Sequence, residues 1–365
     1  MKKHLLILIA LVAINSTAFA QTFECDGIYY NITSATAPYM VEVTCNSPSD
    51  STSYAGNITI PASVTHEGNT YSVTAIGPIA FYGDDKLTNV IIPNSVTTIS
   101  EMAFFNCSGL TNINIPNSVA LIKKDAFRGC NSLTNVNIPN SVTAIGNFAF
   151  VDCLSVTEFN VATDNDFYCD MEGVLFNKNK DTLIQYPIAK SDNSYIIPNS
   201  VVFIGDGAFS YSGLTNVIIG NSILSIGESA FHECKSLMST TVKATVPPTL
   251  GSGAFKYISK NVPLYVPCQS LRDYQTSSWI LYFNIQCDTT TGITEINTFP
   301  YEVYTRHNTL IIKQAEGQPI AIFDMMGRTI FQTTATEETT CTLPTAGVYV
   351  VRVGVEGFVR KIVIN

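Results

Sequence analysis

Hydrophobic and polar positions repeat every 23 residues over the most regular stretch of this chain. Three segments, beginning at Leu87, Leu110 and Leu133, share the pattern Leu-Thr-Asn-Val/Ile-x-Ile-Pro-Asn-Ser-Val. Apolar residues alternate within each segment as in a strand, and the proline ends the strand because it cannot donate to a ladder. A unit this short cannot bury its own apolar face, so the pattern predicts a solenoid of stacked coils.

The second part of each unit has apolar residues at wider spacing. In one unit they are Val142, Ile145, Ala149 and Cys153, a spacing that predicts one tight helical turn with an inward face. A glycine often follows the isoleucine, as Gly146 does, and a left-handed backbone is expected there. An Ala-Phe pair marks each unit, and its phenylalanines are expected to stack as one continuous spine: Phe81, Phe104, Phe127, Phe150, Phe209, Phe231 and Phe255.

Departures from the period divide the chain further. Residues 21–56 alternate without the repeat and predict an N-terminal β cap, because the first coil of a solenoid needs cover. The solenoid is expected over 57–288, with an enlarged unit and a polar-tipped hairpin at 156–213 and a closing cap at 256–288. Residues 289–298 have the composition of a linker.

The N-terminus predicts export. Lys2 and Lys3 precede a short apolar run, and Ala18-Phe-Ala20 supplies the small residues of a cleavage site, so residues 1–20 are predicted to be a signal peptide. The run is too short to span a bilayer, and no span is expected afterwards. The formal net charge of −9, with only 13% charged residues, disfavours nucleic acid and anionic membranes as partners.

Eight of the ten cysteines fall into two groups, whereas Cys169 and Cys341 have no evident partner in the sequence. Four of them share one repeat position and predict a buried ladder of thiols, although a single bridge between neighbouring coils stays geometrically open: Cys107, Cys130, Cys153 and Cys234. Cys25 with Cys45, and Cys268 with Cys287, are the candidate disulfides of an oxidising compartment.

The repeated unit resembles the BspA-type leucine-rich repeat of bacterial surface proteins. Its pattern continues as Ile-Gly-x-x-Ala-Phe-x-x-Cys, and the resemblance covers roughly residues 57–287. It implies a right-handed leucine-rich repeat solenoid, with a strand and a short helical or irregular turn per coil, on a secreted or cell-surface protein. It also implies adhesion to host or bacterial proteins, without catalytic residues or cofactors.

Residues 299–365 alternate in short segments split by Gly and Pro, which predicts a separate, small all-β sandwich. This module resembles the C-terminal sorting domain of the type IX secretion system of Bacteroidetes. The residues that carry the resemblance are Ile322-Phe-Asp324, Met326-Gly-Arg328, Leu343-Pro344, Gly347-Val-Tyr349, Arg352 and Arg360-Lys-Ile-Val-Ile364. It implies export by that machinery across the outer membrane, then removal of the module or its attachment to a lipid carrier.

Candidate catalytic and metal-binding residues are few. His232 and Cys234 are two residues apart, as a thiol nucleophile and its base could be, but the repeat frame turns Cys234 inward and His232 outward. Four carboxylates of the enlarged unit could hold calcium through oxygen, although they lack the order of a dedicated loop: Asp164, Asp166, Asp170 and Glu172. A secreted enzyme or calcium-dependent protein with its site in 160–190 is therefore the alternative function.

The outward face of the strands is the primary candidate site. Strand alternation predicts two exposed rows, Ile91, Asn114, Asn137, Asn160 and Ile218 in one and Asn89, Asn112, Asn135 and Asn216 in the other. An uncharged amide surface can form many neutral hydrogen bonds to a protein, and it lacks the aromatic platforms that sugars usually require. The sequence therefore predicts a non-enzymatic protein that binds another protein, while recent duplication of a passive spacer would give the same rows.

Overall fold

The computed structural model describes residues 22–46, 54–289, 301–306, 309–324, 327–344, 347–354 and 358–364. The predicted signal peptide, nearly all of the predicted linker and Met326 lie outside the described residues.

A β cap begins the solenoid. Its first three strands form an antiparallel meander, and the third then pairs in parallel with the strand that leads into the coils. The Tyr54 ring packs against Phe81 with centroids 4.8 Å apart, which covers the end of the core. The strands before the first regular coil are β1 (Thr22–Cys25), β2 (Ile28–Ser34), β3 (Met40–Thr44), β4 (Gly56–Thr59), β5 (Ser63–His66) and β6 (Asn69–Ile76).

Each regular coil contains a longer strand and a two-residue strand. Both kinds pair in parallel with equivalents in a neighbouring coil, so the coils build two separate ladders. In chain order the strands are β7 (Leu87–Ile91), β8 (Thr98–Ile99), β9 (Asn112–Asn114), β10 (Leu121–Ile122), β11 (Asn135–Ile138), β12 (Ala144–Ile145) and β13 (Glu158–Val161). The odd-numbered strands make up the long-strand ladder, in which β7 pairs with β9 and β11 pairs with β13, and the even-numbered ones form the short-strand ladder.

The second part of each coil contains a two-residue strand and an irregular turn, which is the irregular form of the expected short helical or irregular turn. The turn amides alternate in their partners. Phe104 N donates to Ala126 O of the next coil at 2.8 Å and Phe127 N to Ala149 O at 2.9 Å, whereas Arg128 N donates to Asp125 O of its own coil at 3.2 Å. The left-handed backbone predicted at the glycine is wrong, because the positive φ occurs at the residue before the Ala-Phe pair, as at Phe148 with φ 60°. Gly146 is required by close approach, because a Cβ there would lie 2.3 Å from Lys124 N.

The phenylalanines of the Ala-Phe pairs stack as predicted. Successive rings are nearly parallel, with centroids 4.9 Å apart for Phe81–Phe104, 5.1 Å for Phe104–Phe127 and 5.4 Å for Phe127–Phe150. Beside them lie the ladder cysteines, whose thiols donate to phenylalanine carbonyls of the preceding coil. Burial raises the pKa of Cys153 to about 12 and that of Cys234 to about 11, so these side chains are inert, protonated parts of the core.

The enlarged unit divides the core, so the expected continuous interior is wrong. Phe150 meets Phe159 edge-on, and the parallel stack resumes from Tyr186, whose ring lies 5.2 Å from Phe209. The predicted hairpin is present, and its first strand separates the two cores because successive side chains of a strand point to opposite faces. The strands of this unit are β14 (Tyr168–Met171), β15 (Val174–Asn177) and β16 (Thr182–Gln185).

The second half of the solenoid repeats the two-ladder arrangement. Its long-strand ladder is β17 (Ser194–Ile196), β19 (Asn216–Ile219), β21 (Ser239–Val242), β23 (Pro263–Val266) and β24 (Asn284–Cys287). Its short-strand ladder starts from β16 and continues through β18 (Phe203–Ile204), β20 (Ser225–Ile226) and β22 (Thr249–Leu250). The far end is closed by two 3-10 turns, Cys268–Ser270 and Ser278–Leu281, and by α1 (Leu271–Gln275). Trp279 is fully buried there, and its Nε1 donates to Pro248 O at 2.9 Å.

One of the two predicted disulfides is present. Cys268 and Cys287 are bridged, with Cα atoms 4.7 Å apart, and the bond ties the two ends of the cap together. The predicted Cys25–Cys45 disulfide is absent from the structure. Cys25 in β1 pairs with Ile28 in β2, while Cys45 follows β3 on the opposite side of β2. Two cysteines separated by a whole strand are about 10 Å apart, which exceeds the reach of a disulfide.

The C-terminal module consists of two antiparallel sheets with their own buried core. One sheet contains β25 (Glu302–Arg306), β26 (Thr309–Lys313) and β29 (Glu338–Thr342), and the other contains β27 (Pro319–Asp324), β28 (Thr329–Thr334), β30 (Gly347–Val353) and β31 (Phe358–Ile364). This arrangement is the small all-β module that the sequence predicts.

Candidate binding faces of the solenoid

The predicted asparagine rows form one outward face of the first long-strand ladder. Asn89 pairs with Asn112 and Ile91 with Asn114, while Asn137 pairs with Asn160. The alternate residues of these strands are buried, so strand alternation turns the amides outward. We call this surface the asparagine face; it comprises Asn89, Ile91, Asn112, Asn114, Asn135, Asn137 and Asn160, all exposed except the half-buried Asn89.

The edges of the asparagine face differ from the sequence prediction. The flanking threonines hold the coils together, since Thr111 Oγ1 donates to Thr88 O at 3.2 Å. Glu158 continues the inner row beside Asn135 and adds a carboxylate where an uncharged surface was expected. Asn216 and Ile218 do not extend this face, because they lie on β19 in the second long-strand ladder. The enlarged unit has therefore divided one predicted surface into two.

The second long-strand ladder carries exposed apolar residues that sequence reasoning missed. Ile196 pairs with Ile218 and is 65% exposed, and Met238 is 72% exposed. Met238 occupies the position at which the regular coils carry threonine, and this difference from the repeat could have indicated the exposed apolar surface.

The calcium candidates of the enlarged unit are not gathered into one site. Asp164 Oδ2 accepts from Asn140 Nδ2 at 2.7 Å, and Asp170 Oδ1 accepts from Val161 N at 3.0 Å, so both carboxylates hold the local chain. Among the described residues, no three acids, histidines or cysteines converge in a way that would hold a metal ion. The calcium alternative therefore has no geometric support here.

His232 and Cys234 do not form a nucleophile–base pair. The Cys234 thiol is buried and donates to Phe209 O at 3.0 Å. Burial raises its pKa to about 11, which disfavours the thiolate that a nucleophile requires. The His232 ring instead packs against Tyr257, with centroids 5.1 Å apart. The positions of these residues in the repeat thus correctly predicted an inward thiol and an outward imidazole.

The turns form a second surface that sequence reasoning missed. We call it the turn-face cluster: Tyr82, Phe105, Arg128, Tyr211, His232 and Tyr257. Tyr82 and Phe105 stack at 5.1 Å, and the Arg128 guanidinium lies 5.9 Å from the Phe105 ring. Tyr257 is 55% exposed. Tyr82, Phe105, Arg128 and His232 directly follow an Ala-Phe pair, and Tyr211 and Tyr257 come one residue later, so the repeat alignment itself contained the signal.

The geometry of the turn-face cluster fits a protein better than a sugar. Phe105 covers one ring face of Tyr82, and the Phe105 ring lies between Tyr82 and the Arg128 guanidinium, which leaves little open ring face at Phe105 for a sugar to stack on. Arg128 is paired with Asp125 and Asp152, at 3.3 and 3.1 Å. Tyrosine and arginine are the residues that most often carry binding energy at protein interfaces. The cluster is therefore a second candidate surface for a protein partner.

Comparison with known families agrees with this architecture. The profile of the BspA type leucine rich repeat region matches in six copies, over residues 52–170 and 189–309. The chain belongs to the BspA-type leucine-rich repeat family. This family fits a binding or adhesion role and a surface or secreted location. No curated protein matches the sequence of this leucine-rich repeat chain.

Solved leucine-rich repeat structures are similar at low sequence identity. The pneumococcal vaccine antigen PcpA is 17% identical, over 74% of this chain and 98% of that one, with a TM-score of 0.44. A leucine-rich repeat protein from Bacteroides ovatus is 23% identical, over 72% of this chain and 99% of that one, with a TM-score of 0.34. These values are too low for any inference about the function of this chain. Among the described residues, no helix has the length and apolar character needed to cross a membrane.

Proposed function

We propose that this leucine-rich repeat protein is an exported, non-enzymatic binding protein that contacts another protein through the asparagine face, as an adhesin does. The observation that carries the proposal is the register of outward-facing amides on successive coils, Asn112 beside Asn89 and Asn160 beside Asn137. The partner is a host or bacterial surface protein.

The chemistry of the asparagine face supports a protein ligand. Each asparagine amide presents both donors and an acceptor, so a row of them can satisfy backbone or side-chain groups of either kind. Neutral amides avoid the large desolvation penalty of buried charges. The 53% exposed Ile91 side chain adds apolar area next to the amides. Protein interfaces typically combine polar and apolar contacts in this way.

Cell-retention measurements test this proposal. Beads coated with the full chain are incubated with epithelial or bacterial cells, before and after protease treatment of the cell surface. Retention that protease abolishes identifies a protein ligand, whereas retention that survives protease contradicts it. Retention that EDTA abolishes favours the calcium-dependent alternative, and retention equal to bare beads favours a passive spacer.

A face-specific variant completes the test. Replacing Asn112, Asn135 and Asn137 together with alanine should weaken binding by roughly tenfold to a thousandfold, because each hydrogen bond contributes about 0.5–1.5 kcal/mol. The matched control replaces three exposed asparagines outside this face with alanine: Asn199, Asn221 and Asn261. Equal losses in both variants, or a loss only when Tyr82 and Tyr257 of the turn-face cluster are changed to serine, would reject the asparagine face.

We further propose that the C-terminal module directs the chain through the type IX secretion machinery to the outer cell surface or the medium. In support, the motif around Asp324 forms a closed turn: Arg328 N donates to Asp324 Oδ1 at 3.0 Å, and Arg328 Nε to Oδ2 at 2.7 Å. Mass spectrometry of the protein recovered outside the cell tests this proposal. A start near Gln21 and a processed or lipid-linked C-terminal region are expected, and an intact C-terminus on a purely periplasmic protein would contradict it.

A further inference from the structure

One coil of the solenoid departs from the repeat at an outward position. The first residue of each short strand is small, polar or partly exposed in other coils, as at Thr98, Leu121 and Ser225. In β18 this position holds Phe203, whose register neighbour in β20 is Ser225. Phe203 is nevertheless only 7% exposed, so something outside the coil covers it.

The cover is the C-terminal module of the same chain. The Phe323 ring of β27 packs edge-on against Phe203, with centroids 5.9 Å apart at 75°. Val202, Phe203, Ala321, Phe323 and Val350 form a buried cluster that is separate from the cores of the solenoid and of the module.

Close approach at this contact depends on a glycine. A Cβ added at Gly327 would lie 3.3 Å from two atoms of the Phe203 ring, and φ at Gly327 is +79°, which side-chain-bearing residues rarely adopt. The glycine of the Asp324–Arg328 turn therefore also fits the surface of the solenoid.

An ion pair aligns the two parts. Arg352 Nη1 lies 3.2 Å from Asp181 Oδ2, and the two side chains are only 15% and 4% exposed. The carboxylate is held in place by the hairpin, because Asn177 Nδ2 donates to Asp181 Oδ1 at 2.6 Å. The Arg352 guanidinium also lies 5.5 Å from the centroid of the Phe323 ring. Separation of the module would leave both charges without their partner and expose two aromatic rings to water.

We infer that Asp181, Val202 and Phe203 are a docking surface for the C-terminal module of this chain, which rests on the flank of the enlarged unit instead of trailing from the solenoid. The surface lies on the short-strand ladder, whereas the asparagine face lies on the long-strand ladder. The docked module therefore leaves the asparagine face open, and docking and partner binding are independent of each other.

Phe203→Ser in the full chain tests the docking surface, because serine is the residue that the next coil carries at this position. The module should undock, which raises the radius of gyration in small-angle scattering and gives the module its own melting transition. The matched control is Leu121→Ser, at the equivalent position of β10, which should change neither quantity. An unchanged radius of gyration for a folded Phe203→Ser chain would overturn the inference.

Arg352→Met tests the ion pair separately, since methionine keeps an apolar stem and removes the charge. It should also raise the radius of gyration, and it keeps the inference testable if Phe203→Ser fails to fold. An Arg352→Met chain that stays as compact as the wild type would overturn the role of the ion pair. Retention on cells by the asparagine face should be the same for wild type and both variants, and a loss that accompanies undocking would refute the claimed independence.

Discussion

Replacement of Phe127 with alanine should destabilise the first half of the solenoid by about 3–5 kcal/mol, the usual cost of truncating a buried phenylalanine. Phe127 is fully buried and lies between two parallel rings, with centroids 5.1 Å from Phe104 and 5.4 Å from Phe150. The mutation removes both stacking contacts and leaves a cavity between coils. Because each coil contacts only its neighbours, the loss should be local.

The measurement combines urea denaturation with hydrogen exchange of the inter-coil amides. Amides of the adjacent coils, such as Phe104 N, should exchange faster, while Phe231 N in the second half should keep its protection. Phe167→Ala is the control, since Phe167 is 48% exposed and its truncation should cost less than about 1 kcal/mol. A loss below about 1 kcal/mol for Phe127→Ala would refute the buried spine.

Three further predictions concern the cores, the thiols and the disulfide. Leu175→Ala should cost about 2–5 kcal/mol and lower the hydrogen-exchange protection of amides before the enlarged unit only. The reason is that Leu175 belongs to the first core, while Val174 and Phe176 belong to the second. Equal losses of protection in both halves would contradict a divided core. The free energy of unfolding should fall as the pH rises from 9 towards 12. Burial raises the pKa of Cys153 from 9.0 to about 12, so only the unfolded chain ionises this thiol in that range. If stability measured by circular dichroism stays constant over this pH range, ionisation of Cys153 is not the cause. Reduction of Cys268–Cys287, which closes a loop with a separation of 19 residues, should destabilise the C-terminal cap by about 3 kcal/mol. The fluorescence of Trp279, the only tryptophan, reports this change, and an emission curve unaffected by reductant during melting would contradict it.

Much of the fold was predictable because the same pattern of inward and outward positions recurs in every repeat. Alternation around Val136 identified the strand, and recurrence of the Ala-Phe pair identified the spine. The paired rows of the asparagine face follow from the same arithmetic, since equal positions of identical coils must lie side by side. The cysteine ladder was predictable for the same reason.

The spacing of the turn residues alone does not distinguish a helical turn from an irregular one. Whether an amide bonds within its coil or to the next one depends on how closely the coils approach, and Phe127 N bonds to the next coil. Cys25 and Cys45 show a similar limit: their separation along the chain suits a disulfide, but β2 lies between them.

The sequence by itself determined the repeat, the inward and outward sides of each strand, and the separate C-terminal module. Only the tertiary structure decided that the enlarged unit divides the core and the long-strand ladder, and that the module covers Phe203. The physical reason is that periodicity encodes contacts between equivalent positions. A contact between non-equivalent segments, such as Asp181 with Arg352, depends on shapes and distances that appear only when the whole chain is folded.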